Sequence, residues 1–300
     1  MPIIDKKSVL SGLKVRDAMR RIATHLHKQA SINEAAKLLI KFRINSLLIV
    51  DANDEVIGVV SKTNIMGAYY AGIPIETPLE AIMMPSPVLC SPEDTLESAL
   101  DLMRTHKVHR VFVTGDDPKQ ASGVLAYYDI CGLLYRYCHR CERNVARPRA
   151  SLSDSSMADA LRVHEVMTPS VFFNRKDESI MTIMEGLEAG NVGAVLILSR
   201  EGQPVGVVSK TDLLMAYKRG ISPEDPAKSI MNSPVRSCDY DDPLVLVIRE
   251  MVFADVQRLF IHRETPANIV GVLSLSDAAR IRSGSCRACL SSRIEVLDGP

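Results

Sequence analysis

Four things are missing from this sequence: tryptophan, an excess of either charge, a long apolar run, and an apolar core near its first residues. Lys+Arg and Asp+Glu both number 36, so the formal charge is zero. That balance argues against a nucleic-acid or anionic-membrane surface as the main partner. No apolar stretch approaches the ~18 residues that cross a bilayer. The opening Met1-Pro2-Ile3-Ile4-Asp5-Lys6-Lys7 lacks the apolar centre of a secretory signal, so a cytoplasmic location is expected. The seven cysteines are then expected as thiols or metal ligands rather than disulfides. Also absent are a Walker loop, a GxGxxG following a strand, a nucleophile elbow and an HExxH pair. An enzyme assignment has nothing to rest on. A hydrophobic fraction of 46% is ordinary for a globular chain even without tryptophan, and 300 residues suggest about two domains.

What the sequence does have is repetition. Gly58-Val59-Val60-Ser61-Lys62-Thr63 recurs letter for letter 148 positions later as Gly206-Val207-Val208-Ser209-Lys210-Thr211. A looser copy follows each block by 65 positions, at Gly123-Val124-Leu125 and Gly271-Val272-Leu273. The blocks end at Asn64-Ile65, Asp129-Ile130, Asp212-Leu213 and Asp277-Ala278, so the chain is two copies of a two-copy unit.

Each block reads as a strand running into a helix. The paired valines suit a buried strand. Ser, Thr and Asp follow, and their side-chain oxygens cap helix N-termini. Upstream, Ile32, Ala35, Ala36 and Leu39 fall at i, i+3, i+4 and i+7, one face of a helix. Leu96, Ala99, Leu100 and Met103 repeat the spacing, as do Ile180, Ile183, Met184 and Leu187, and Leu244, Val247, Ile248 and Met251. The apolar runs Leu47–Val50, Val111–Val113, Val195–Leu198 and Leu259–Ile261 predict strands buried on both faces. Thr24-His25-Leu26-His27 predicts a short leading strand whose two histidines share a face. Turns are expected at Asn53-Asp54, Asp116-Asp117-Pro118 and Glu201-Gly202.

The expected fold class is α/β: four short β-α-β-β-α repeats paired into two modules. A single unit of this size buries too little surface to be comfortable alone. The expected divisions are a lead-in at 1–13, repeats at 14–77 and 78–141, a linker at 142–161, repeats at 162–225 and 226–285, and a CxxC tail at 286–300. Val15 to Met19 are expected to open the first repeat, with Met167 as the counterpart of Met19.

The pattern Gly-apolar-x-Ser/Thr-x-x-Asn/Asp after a β-α-β element resembles the CBS domain, named for cystathionine β-synthase. Two such repeats pair into a Bateman module. Four in one chain are similar in architecture to the regulatory gamma subunit of AMP-activated protein kinase. The resemblance implies adenine nucleotide (AMP, ADP or ATP) or S-adenosylmethionine as regulatory ligand, bound in clefts between paired repeats, and an effector protein that reads the module arrangement. A homodimer is left open.

In the family the motif hydroxyls contact phosphate and the terminal acid contacts ribose. Carried onto this sequence, that names Ser61, Thr63 and Asn64; Asp129; Ser209, Thr211 and Asp212; and Ser274, Ser276 and Asp277, with Lys210 beside them as a cation that joins Arg258 toward phosphate. The second repeat departs from the pattern with Ala126 and Tyr128 where hydroxyls are expected. His109-Arg110 and Gln257-Arg258, in register before buried strands, resemble pairs that reach phosphates in the kinase subunit, and guanidinium matches phosphate oxygens. Asn45-Ser46 and Gly193-Ala194, the equivalent positions of the odd repeats, carry no charge. The plain alternatives are a fourfold structural cap and surface arginines paired with carboxylates.

Cys138-x-x-Cys141 and Cys286-x-x-Cys289 share the 148-residue offset, as do Cys90 and Cys238. Paired CxxC suits a tetrahedral zinc site. Reduced thiols left by duplication serve equally well. A metal-bound or redox-responsive interaction module is therefore the rival reading.

Overall fold

A computed structural model describes the chain except residues 1–2, 7–9, 11, 116–119, 141–160, 281–293 and 298–300. The expected turn at Asp116-Asp117-Pro118, nearly all of the expected linker, and three cysteines of the CxxC pairs lie outside the described residues. So does the side chain of Cys138.

Each repeat follows the same order of elements. In the first, β2 (His25–His27) leads to Ser31, whose hydroxyl accepts the N–H of Glu34 while the Glu34 carboxylate accepts that of Ser31. This reciprocal cap starts α1 (Ile32–Lys41). The face Ile32, Ala35, Ala36 and Leu39 is buried, as its spacing predicts. Arg43, with φ of 51°, turns the chain out of the helix. Lys107, Asn191 and Asp255 repeat that left-handed residue at the corresponding places. Next come β3 (Ser46–Val50), buried throughout, β4 (Val56–Ser61) and α2 (Lys62–Tyr70).

The second repeat holds β6 (Leu89–Cys90), α3 (Leu96–Thr105), β7 (Arg110–Thr114), β8 (Ala121–Ala126) and α4 (Tyr127–Arg140). The third holds β9 (Phe173–Arg175), α5 (Ile180–Ala189), β10 (Ala194–Leu198), β11 (Pro204–Ser209) and α6 (Lys210–Lys218). The fourth holds β12 (Ser237–Asp239), α7 (Leu244–Phe253), β13 (Arg258–Arg263), β14 (Thr265–Ser274) and α8 (Leu275–Arg280). In every repeat the leading strand pairs parallel with the middle strand, which pairs antiparallel with the last. All four predicted helical faces and all four apolar strand runs are in place.

The stretch Val15–Met19, which opens the first repeat in sequence, packs against the second repeat in space. Val15 donates its N–H to Asp94, Arg20 bridges to Val124, and Leu10 and Val15 are fully buried in the core of the second repeat. The first repeat instead takes the segment that follows it: Ile32 donates to Thr77, Leu79 is buried, and β5 (Met84–Pro85) pairs with β4. The second half repeats the exchange. Residues 161–168 dock on the fourth repeat and 223–232 on the third. Long-range backbone pairing of this kind leaves no mark on helical or strand periodicity.

Two kinds of packing then assemble the repeats. The sheets of repeats one and two meet through Leu48, Phe112 and Val124. Helices join the modules crosswise. A shared core links repeats two and four, while Leu214 enters the core of repeat one, and Met66 and Tyr69 that of repeat three. Strand β1 (Ile3–Lys6) pairs with β15 (Ile294–Leu297). Among the described residues no helix is long and apolar enough to cross a membrane.

Candidate functional site

The repeated glycine has a packing reason. A Cβ on Gly123 would sit 2.5 Å from the Arg20 carbonyl oxygen, and one on Gly58 2.9 Å from that of Met84. Both oxygens belong to exchanged segments lying flat on the strand. The methionine before each contact, Met19 or Met83, places its sulfur against the same glycine, as Met167 and Met231 do in the other half. Met19 and Met167 thus correspond in space as well as in sequence.

At the strand–helix junctions, the motif residues first satisfy one another. Ser61 Oγ donates to Asn64 Oδ1 at 2.6 Å, and Ser209 Oγ to Asp212 Oδ2 at 2.6 Å. Ser274 Oγ is bonded to both Asp277 and Ser276. The backbone N–H of each serine also goes to the acid or amide three residues on. The other Asp212 oxygen accepts from Asn232 Nδ2 at 2.6 Å. Asp129, with Ala126 in place of the serine, takes the Ala126 N–H at 2.9 Å and pairs with Arg20 Nε at 3.0 Å. Burial raises the Asp129 carboxyl above its usual range, opposed by Arg20. Tyr128, the other departure from the pattern, donates to Val252 in the fourth repeat. Helix capping is therefore an established duty of this motif.

The arginines and lysines do something the sequence reading did not foresee. Arg110 starts β7 and reaches into the first repeat, where Nη1 donates to the Ser46 carbonyl at 3.0 Å. It is 8% exposed, and its Nε is buried without a partner. Arg258 starts β13 and covers Gly193 of the third repeat, where a Cβ would lie 2.3 Å from Nη2. The uncharged Ser46 and Gly193 positions are thus the seats of the even-repeat arginines. Lys62 and Lys210 open α2 and α6 and cross between modules: Lys62 Nζ donates to Thr211 Oγ1 at 2.8 Å, Lys210 Nζ to Thr63 Oγ1 at 2.9 Å. Asn45 and Gln257 bond at 3.0 Å between repeats one and four.

These cations feel one another. Burial, then Arg110 and Arg258, brings Lys62 down to about 8, with Asp212 and Asp255 opposing. Burial and Arg258 lower Lys210, against Glu188. Burial brings Arg110 and Arg258 to about 10, opposed by Asp129 and Asp277 respectively; Arg20 lowers Arg110 further. Positive charge from four repeats converges where two helix N-termini lie side by side, which is an electrostatic demand for an anion.

A pH prediction follows from the sign of the lysine shift. Below about pH 8 the folded chain carries the full cost of a charged Lys62. Between there and the ordinary lysine value the unfolded chain holds the proton and the folded one has lost it, so this residue makes stability rise with pH. The rise is on the order of 3 kcal/mol across that window. Urea unfolding of wild type and Lys62→Met across the window should show the variant lacking that rise; parallel curves would refute it.

The structure brings Arg110, Arg258 and Lys210 together with Thr63 and Thr211, and leaves Ser61, Ser209 and Ser274 turned to their caps. Missed in the sequence were Lys62, identical in context to Lys210, and the partners Arg20 and Asn232. The exact repetition of the six-residue block carried the signal for Lys62. Among the described residues no group of His, Cys, Asp and Glu is arranged to hold a metal. His25 and His27 share a face and are both exposed. Cys90, Cys131 and Cys238 are buried core thiols, all pushed up by burial, Cys90 and Cys238 to about 12.

Comparison with known proteins agrees with this architecture. A protein of Methanocaldococcus jannaschii, proposed as an archaeal homolog of g-AMPK, superposes with a TM-score of 0.72 at 15% identity, over 90% of this chain and 99% of that one. An uncharacterized conserved protein from Pyrococcus horikoshii gives 0.58 at 18% identity, over 90% and 100%. An uncharacterized 33.4 kDa protein in the ribosomal RNA operon of Thermofilum pendens is 22% identical over 65% of this chain. The match spans 61% of that relative's length, and 63% of an uncharacterized Methanopyrus kandleri protein. Four segments, residues 15–71, 79–136, 163–219 and 227–284, match the CBS domain. With these repeats paired two by two, the chain belongs to the CBS domain family and is built as two Bateman modules.

Proposed function

We propose that this chain is a regulatory sensor of adenine nucleotides, with the adenosyl part in the clefts between paired repeats and the phosphates at the central cations. The observation that carries this reading is the convergence of Arg110, Arg258, Lys62 and Lys210, with the buried Arg110 Nε lacking a partner. Burial outweighs the nearby carboxylates in the balance at these cations, and a bound phosphate offsets part of that cost. Such a site favours ADP or ATP over S-adenosylmethionine. A ligand that ties repeats from both modules shifts their arrangement by its differential affinity, and a protein partner reads the result.

Calorimetric titration with AMP, ADP, ATP and S-adenosylmethionine tests the reading, and saturable binding of a phosphorylated member is the expected result. Ser61, Ser209, Thr63, Thr211, Ser274 and Ser276 supply hydroxyls. Asn64, Asp129, Asp212 and Asp277 supply sugar contacts once a ligand exchanges places with the present caps. Asp212→Ala and Asp277→Ala should each weaken binding by about 1–3 kcal/mol. If both, and the double variant, titrate like wild type, the sugar assignment is wrong.

A further inference from the structure

The fourfold repeat lets each helix be compared with its three siblings. In α1, α3, α5 and α7 the buried face is the same, and the third and tenth residues lie opposite it. Those two residues are Glu34 and Lys41 in α1, Ser98 and Thr105 in α3, and Thr182 and Ala189 in α5. In α7 they are Leu246 and Phe253, and Phe253 is 72% exposed. The start of α7 differs as well. In the other three the third residue donates its N–H to the capping side chain of Ser31, Thr95 or Ser179. The cap of α7 is Pro243, which makes no such bond. The fourth repeat thus lacks a local stabiliser that its siblings have, and sets large apolar side chains outward. That exposure becomes favourable only when another surface covers it.

The charges between the two apolar ends name the occupant. Leu246, Arg249, Glu250 and Phe253 line one shallow groove of about 340 Å³. Arg249 and Glu250 are exposed, and neither has an ion-pair partner among the described residues. We propose that this face binds the same face of a second copy of the chain, the two α7 helices running antiparallel about a twofold axis between Arg249 and Glu250. Leu246 of each copy then meets Phe253 of the other, and Arg249 meets Glu250, so every contact is made twice. Tyr135 supports Phe253 edge-on, with ring centres 5.8 Å apart. The Arg43–Asp255 pair brings the end of α1, with half-exposed Phe42, to the border of the patch. The face is neutral as a whole, which disfavours an anionic membrane as its cover. The inner helix faces are already spent inside the chain, in the core that joins repeats two and four, so a second copy must use an outer one. One helix laid on another is a small contact, and the dimer should be weak and reversible. The proposal stands apart from the nucleotide reading.

The test is sedimentation velocity of the ligand-free full chain over a concentration series, where a reversible monomer–dimer equilibrium is expected. Phe253→Lys should weaken it by about tenfold or more. Because Phe253 is largely exposed, the core survives that change, and thermal unfolding checks that each variant stays folded. Arg249→Glu alone, or Glu250→Arg alone, sets like charges against each other across the axis and should leave a monomer. An equimolar mixture of these two variants restores both opposite-charge contacts and should dimerise. A wild-type chain that stays monomeric throughout overturns the proposal and leaves the face to a different partner. A dimer indifferent to Phe253→Lys overturns this face as the contact. A dimer lost on Phe253→Lys, with no rescue in the mixture, overturns the antiparallel pairing.

Discussion

Arg110→Met should make the ligand-free protein more stable and remove most of its response to nucleotide. The guanidinium is 8% exposed, held by one bond to the Ser46 carbonyl, and its Nε has no partner. Arg20 stands nearby with the same charge, and Asp129 offsets it only in part. Replacing a poorly compensated buried ion by an apolar side chain of similar length commonly stabilises by about 1–4 kcal/mol. Loss of the Ser46 bond subtracts about 1 kcal/mol, leaving a modest net gain. The same substitution removes a charged donor to phosphate, which costs about 1.5–3 kcal/mol of binding, or roughly ten- to a hundredfold in affinity. Urea unfolding with and without saturating ADP reads both effects. An apo protein weakened by the change, with its nucleotide response intact, would assign Arg110 to the fold instead.

Gly123→Ala should destabilise by about 3 kcal/mol or more, at the upper end of overpacking, because the obstacle is backbone. The added carbon would lie 2.5 Å from the Arg20 carbonyl oxygen. That oxygen accepts the Val124 N–H, and the Arg20 N–H goes back to Val124, both at 2.9 Å. Relief requires lifting the exchanged segment off β8, which also disturbs the Arg20–Asp129 pair. Gly67→Ala is the control. It lies in α2 with nothing within 4 Å of its added carbon, and should stabilise by about 0.5–1 kcal/mol. Equal effects from the two substitutions would mean that the segment yields freely and that the repeated glycine serves another purpose.

The sequence by itself determined the repeat. Apolar positions at helical spacing put Ile32, Ala35, Ala36 and Leu39 on one face whatever that face meets, and unbroken apolar runs predict strands buried on both sides. These signals are local, with periods set by backbone geometry, so they survive in the amino-acid order. Capping is local as well: Ser209 and Asp212 are three positions apart and find each other within one turn. The tertiary structure alone decided which faces meet. Nothing in the order of residues 15–20 says that they pack on the next repeat, because backbone pairing is indifferent to side-chain pattern. Nor does the order say that Lys62 reaches Thr211, or that Ser46 and Gly193 are small to seat Arg110 and Arg258. Those contacts join residues 64 to 149 positions apart. The cost of burying a charge, which turns four ordinary cations into a site, exists only once the repeats have closed around it.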